Sequence, residues 1–275
     1  MIAVGKLQFD VPAVMGILNV TPDSFSDGGR FVGRDAAVRQ AEVMARDGAH
    51  IIDIGGESTR PGAADIPEQE ELDRVIPVIE AVVAAVDAPV SIDTSKAAVM
   101  RAAVASGAAM INDIRALREE GALEAAVALQ RPVCLMHMLG QPRTMQQQPE
   151  YGDVVAEVRD FLAQRVRECV AAGLAEDSIV VDPGFGFGKT PRHNVELLSN
   201  LRQLRSIGRP ILAGLSRKST LGELTGRSVE NRMPASIAAA VIAVIEGASI
   251  VRVHDVRETV DALRVAAAVM EQDGD

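Results

Sequence analysis

Tryptophan is absent from the 275 residues and tyrosine occurs once. Proteins that hold single-stranded nucleic acid stack its bases on aromatic side chains, so that class of partner finds no support. Cysteine occurs twice, as Cys134 and Cys169, without the paired spacing of a structural zinc site. The expectation is a reduced, cytoplasmic protein with no disulfide framework. Positive charge is in the minority: 28 Lys and Arg against 38 Asp and Glu leave a net charge of −10, which argues against nonspecific binding to nucleic acid or an anionic membrane. No apolar run approaches the roughly 20 residues that span a bilayer. The N-terminus has no basic stretch leading into an apolar one, so no secretory signal is read there.

What the chain does have is apolar material, 48% of its residues, arranged in a repeating grammar. A short apolar run ends in a polar residue and then a Gly, Pro or Ser loop. Such runs predict strands at 13–18, 50–54, 90–92, 110–112, 133–136, 179–181, 211–215 and 250–253. Segments with helical apolar spacing fall between and after them, at 35–47, 68–86, 96–106, 121–129, 154–172, 195–206, 233–246 and 256–271. Strands separated by helices pair in parallel through right-handed crossovers. Eight such units with no evident linker predict an α/β fold, a closed (β/α)8 TIM barrel, as a single domain over residues 1–275. Residues 2–10 precede the first barrel strand and are expected to close the barrel bottom. A doubly wound open sheet is the competing topology.

In a barrel, function sits at the C-terminal ends of the strands. Those ends carry Asn19, Asp53 with Glu57, Asp93, Asn112, His137, Asp182, Ser216 with Arg217 and Lys218, and Arg252 with His254. Asp93, Asn112 and Asp182 can read the donors of a heterocycle, or each can cap the helix that follows. Three on one rim favour a ligand. Arg252 and His254 stand two apart and share one side of their strand, with Val253 facing the other. A buried arginine needs a counter-charge. With Arg60, Arg217 and Lys218 it suggests a phosphate or diphosphate ligand, and the competing reading is an ion pair with Asp255 or another rim acid. Lys218 fits either a Schiff-base amine or a charged donor to a ligand.

Two glycine-rich signals mislead. The stretch Gly184–Thr190 (GFGFGKT) is one residue short of a phosphate loop, and its Gly-x-Gly-x-Gly spacing is not the dinucleotide fingerprint. Residues 19–30 and 57–67 form long polar loops after the first two strands, and Phe25 is a lone aromatic within the first. His137 reads as a satisfied core or rim residue. No His, Cys and carboxylate cluster has zinc spacing, whereas a hard cation held mainly by ligand oxygens and one amide would leave almost no trace in a sequence. The segment Pro234–Ile245 is apolar nearly all round, which predicts cover by a second subunit.

With those residues in view, the chain resembles the bacterial dihydropteroate synthases over essentially its whole length. The stretches MGILNVTPDSFSDGG, DIGGESTRPGA, SIDTSK, INDI, LMHM, DPGFGFGK, GLSRKS and VRVHDV match that family's pattern in order. The resemblance implies a transferase on a TIM barrel. It would join p-aminobenzoate to 6-hydroxymethyl-7,8-dihydropterin diphosphate and release diphosphate. It further implies that Asp93, Asn112, Asp182 and Lys218 hold the pterin and that Asn19 helps bind Mg2+. Thr59, Arg252 and His254 would face the diphosphate. Phe25, Arg60, Pro61, Phe187 and Ser216 would surround the aminobenzoate, and the protein would be a homodimer. Arg252, His254, Asp182 and Lys218 are the residues assigned to catalysis. A pterin-binding methyltransferase would share the acidic pocket without needing the diphosphate residues, and a Schiff-base aldolase would use Lys218.

Overall fold

The computed structural model describes residues 2–9, 12–20, 29–58, 65–140, 144–146 and 148–272. A two-strand hairpin comes first, β1 (Ile2–Val4) and β2 (Leu7–Phe9), antiparallel across Gly5 and Lys6. Eight parallel strands follow: β3 (Ala13–Asn19), β4 (Ile51–Gly55), β5 (Val90–Asp93), β6 (Met110–Asp113), β7 (Val133–Met136), β8 (Ile179–Asp182), β9 (Leu212–Ala213) and β10 (Ile250–Val253). Their spatial order is β8-β7-β6-β5-β4-β3-β10-β9. Val181 bridges Ile211 in parallel, and its N–H donates to Pro210 O at 3.0 Å, which closes the ring between β8 and β9. The fold is therefore a (β/α)8 barrel, not an open sheet.

Around it lie α1 (Gly29–Arg46), α2 (Glu68–Ala85), α3 (Ala97–Ala105), α4 (Ala122–Leu129), α5 (Val154–Ala171), α6 (Pro191–Ser199), α7 (Ser219–Thr225), α8 (Met233–Ile245) and α9 (Val256–Gln272). The helix expected at 195–206 is two pieces, because α6 ends at Ser199 and residues 201–207 continue as a 3-10 helix. The strand expected at 211–215 shortens to two residues between Pro210, which lacks a donor, and Gly214. The short helix α7 was not anticipated. Residues 219–225 hold too few apolar positions to show a helical period.

Strand alternation sorts the side chains into two cores. Outward residues such as Val14, Ile52, Ile54, Ile92, Ile111, Val181 and Val251 pack under the helices. Inward residues Ala13, Met15, Ile51, Met110, Cys134, Val180, Leu212 and Ile250 fill the barrel interior together with Val4 and Phe9 of the hairpin. The N-terminal segment thus closes the barrel bottom. One step further along five of the strands the inward positions turn polar, at Asp53, Asp93, Asn112, Asp182 and Arg252. Apolar residues plug the lower barrel and charge crowds its C-terminal mouth.

Candidate active site

Arg252 rises from β10 into the centre of that mouth. Its Nε donates to Asp53 Oδ2 at 2.6 Å and its Nη2 to Asp93 Oδ2 at 2.8 Å. The same Asp53 oxygen accepts from Asn112 Nδ2 at 3.0 Å. Asp53 is fully buried, and its Oδ1 has no partner among the described residues. Burial drives the Asp93 carboxyl up to about 7, against the pull of Arg252 and with the help of the neighbouring Asp53 charge. Arg252 is held above the ordinary guanidinium range: burial works against its charge, and the carboxylates of Asp53 and Asp93 outweigh it. Of the two readings open for this arginine, the structure shows pairing with rim acids, but the acids are Asp53 and Asp93. Asp255 instead takes Arg217, through Arg217 Nε to Asp255 Oδ2 at 3.2 Å and a second bond from Nη2. Arg217 is thereby committed to a side-chain pair and is not added to the positive charge of the mouth as expected.

The capping alternative fails for all three polar strand ends. The residue before α3 is Lys96, and the turn into it uses Thr94 Oγ1, which accepts from Lys96 N at 3.2 Å. After β6 it is Asp113, not Asn112, that accepts from the backbone N–H groups of Arg115 and Leu117. Asp93 and Asn112 are left to the mouth. Asp182 caps no helix either: α6 is capped by Thr190, while Asp182 Oδ1 accepts from Gly184 N at 2.7 Å within the loop and its carboxyl sits among Lys218, Lys189 and Arg252. Burial raises it, and Lys218 opposes the rise most strongly.

Lys218 follows β9 and reaches back under the β8 loop. Its Nζ donates to Phe185 O and lies 4.8 Å from the centroid of the Phe187 ring. Burial lowers it to about 8, with Asp182 resisting. An amine near pH 7 with that value is mostly protonated, and one already donating to a carbonyl serves better as a charged donor than as a nucleophile. Phe187 packs with Met136, Met138, Met145 and Ile114 to form an apolar wall beside it. On the opposite side, Ser216 Oγ lies 2.9 Å from His254 Nδ1 and accepts from His254 N at 3.1 Å. Asn19 ends β3, half-buried and level with Gly55 of β4. Phe25, Thr59, Arg60 and Pro61 lie outside the described residues.

The match to a protein-family model described as pterin binding enzyme covers residues 15–254. Dihydropteroate synthase from Haemophilus influenzae is 55% identical over 259 residues, 94% of each chain. The chain belongs to the dihydropteroate synthase family. Among solved structures, the Yersinia pestis dihydropteroate synthase in complex with a sulfonamide drug superposes with a TM-score of 0.93 at 51% identity, covering 98% of this chain and 99% of that one. The Xanthomonas albilineans dihydropteroate synthase in complex with 7,8-dihydropteroate gives 0.88 at 52% identity, covering 96% and 95%.

Two residues of the site have no role that the sequence pattern assigns. Asp53 reads only as a rim residue. Lys189 reads as part of a false phosphate loop, yet it is 2% exposed and its Nζ reaches His137 Nδ1 (2.9 Å), Gly184 O (2.9 Å) and Phe187 O (3.1 Å). Burial holds this amine well below its usual range and holds the His137 imidazole neutral, at about 2. His137 is the satisfied core residue expected. Together the pair staples the β8 loop onto the end of β7. That loop tolerates only glycine at 184, where φ is +66° and a Cβ would sit 1.9 Å from His137 O.

Proposed function

We propose that this chain condenses 6-hydroxymethyl-7,8-dihydropterin diphosphate with p-aminobenzoate, giving 7,8-dihydropteroate and diphosphate. The observation that carries this reading is the inward polar layer at the barrel mouth, where acids and an amide that can read a heterocycle stand around the guanidinium of Arg252. In this reading Asp93, Asn112, Asp182 and Lys218 hold the pterin. Thr59, Arg252 and His254 face the diphosphate. Phe25, Arg60, Pro61, Phe187 and Ser216 surround the aminobenzoate. Residues 1–275 act as one domain, and the enzyme works in the cytoplasm. Among the described residues no helix is long and apolar enough to cross a membrane.

The reacting carbon is a methylene on an electron-rich ring, so its bond to the diphosphate can break before the amine arrives. Arg252 and His254 would oppose the negative charge that grows on the leaving oxygens. Asp182 would favour the cationic pterin left behind. The arylamine then attacks the methylene carbon and loses a proton. No protein nucleophile is required, which agrees with Lys218 serving as a donor.

The family resemblance also implies Mg2+. Among the described residues no group of three or more His, Cys, Asp or Glu could hold a metal ion. A magnesium ion that keeps waters and takes its other ligands from a substrate's phosphates needs no such group. The carboxamide oxygen of Asn19, at a half-buried strand end on the mouth, fits that demand and would hold it. Bound there, the ion would neutralise charge on the departing diphosphate.

A homodimer is supported by apolar side chains that the single chain leaves in water. Ile242 and Ile245 of α8 are 45% and 48% exposed, and Val265 and Val269 of the neighbouring α9 are 67% and 59% exposed. Exposed apolar side chains on two packed helices are the kind of surface that a protein contact covers. The test of the functional reading is diphosphate release by purified protein with Mg2+ and the dihydropterin diphosphate. Release that depends on p-aminobenzoate supports the synthase. Tight pterin binding without release would move the chain to the pterin-binding methyltransferases or to a non-catalytic binder.

A further inference from the structure

Asp53 lies in none of the substrate subsites above, yet it is the hub of the mouth. It stands on an inward position of β4, fully buried, and one of its oxygens accepts from both Arg252 Nε (2.6 Å) and Asn112 Nδ2 (3.0 Å). Its second oxygen is buried and unpartnered among the described residues. Asn112 is 4% exposed and comes from β6, two strands away across β5.

A carboxamide is symmetric in shape and opposite in hydrogen-bonding sense at its two ends. Left alone, Asn112 could turn either end toward a ligand. The Asp53 oxygen removes the choice. An oxygen already taking a guanidinium N–H can make a good contact only with another donor, so Nδ2 must face it. The Asn112 oxygen is then turned away from Asp53, and among the described residues the bond to Asp53 is the only hydrogen bond of this side chain.

We propose that Asp53 is a positioning residue that sets the hydrogen-bonding polarity of Asn112, and through it the edge of the heterocycle that the pocket accepts. This rests on the pterin reading of the mouth. Asn112 is fixed with its oxygen as an acceptor and its second Nδ2 hydrogen as an adjacent donor. It therefore matches a ring edge that carries an N–H beside a ring acceptor, and rejects the edge with the order reversed. A flipped amide would leave two acceptors or two donors face to face, and sites built on buried hydrogen bonds discriminate strongly against such mismatches.

The test is a double-mutant cycle on binding of 6-hydroxymethyl-7,8-dihydropterin, which lacks the diphosphate and so separates ring recognition from the anion contacts of Arg252. Wild type, Asp53→Asn, Asn112→Ala and the double variant are titrated calorimetrically. Asparagine keeps the size of Asp53 but can donate, which frees Asn112 to turn. The expected result is at least a tenfold weakening by Asp53→Asn in the wild-type background and less than threefold in the Asn112→Ala background. The KM for p-aminobenzoate should move less than about twofold. Equal losses in both backgrounds would mean that Asp53 merely supports the fold, and would overturn the proposal. Failure of wild type to bind the dihydropterin would instead overturn the pterin reading itself. If Asp53→Asn does not fold, the wild-type side-chain amide signals of Asn112 decide. Two distinct protons, one slow to exchange with solvent, support the proposal, and two fast-exchanging protons contradict it.

Discussion

Replacing Asp93 with asparagine should stabilise the free protein, and should do so more strongly as pH rises. The carboxyl sits at about 7 against an unfolded reference of 3.8, chiefly because burial penalises its charge. An acid whose folded value lies above its unfolded one holds its proton more tightly in the native state. Native stability from this group is therefore greatest below the unfolded value, falls as pH rises between the two values, and is flat above the folded one. Between pH 5 and pH 8 the group titrates fully in the native state while it is already ionised in the unfolded chain. At about 1.36 kcal/mol per pH unit over roughly two units, the wild type loses roughly 3 kcal/mol across that window through Asp93. Asparagine keeps the shape, retains an acceptor for Arg252 Nη2 and carries no proton to lose. Urea melts of both proteins at pH 5 and pH 8 measure the difference directly. The gain from Asp93→Asn should be roughly 3 kcal/mol larger at pH 8 than at pH 5. A difference that does not change with pH, or that shrinks as pH rises, would refute the assignment of a strained, buried carboxylate. The same variant should bind the pterin substrate about 10- to 150-fold more weakly, the value of one charge-assisted hydrogen bond.

Arg252→Ala should lower kcat by about two to three orders of magnitude, or about 3–4 kcal/mol, if the guanidinium stabilises charge on the departing diphosphate; steady-state kinetics with unchanged kcat would remove that role. Lys189→Met takes donors from His137 and two carbonyls in one step, so the denaturant midpoint should fall by an amount equivalent to about 2–4 kcal/mol, and an unshifted midpoint would contradict the loop staple. Gly184→Ala drives a Cβ into His137 O at a positive φ and should cost at least about 2 kcal/mol in the same assay. Ile242→Glu should shift the sedimentation equilibrium toward monomer if a second copy covers α8, and an unchanged mass would remove that interface.

The barrel was legible because its two periods are written locally. Runs such as Ile179–Asp182 and Ile250–Val253 alternate inward and outward on a strand, and the polar residues Asp182 and Arg252 fall at the mouth by geometry alone. Pairing across the barrel was not legible. Arg252 meets Asp53 from 199 positions away and Asp93 from 159, and nothing near Arg252 in the chain distinguishes those acids from its neighbour Asp255. Lys189 failed to announce itself for the same reason. Its flanks read as an exposed glycine loop, and only the return of His137, 52 positions earlier, makes the site dry. The sequence reading of α6 missed its break because residues 195–206 keep an apolar spacing that an α-helix and a 3-10 turn can share.

The most direct test of the central claim follows the bond that breaks. The dihydropterin diphosphate is prepared with 18O in the oxygen that joins its methylene to phosphorus, and is incubated with the protein, Mg2+ and p-aminobenzoate. Mass spectrometry should find unlabelled 7,8-dihydropteroate and all of the 18O in diphosphate, because the carbon–oxygen bond is the one cleaved. Label retained in a hydroxymethyl pterin, with no dihydropteroate formed, would contradict the account.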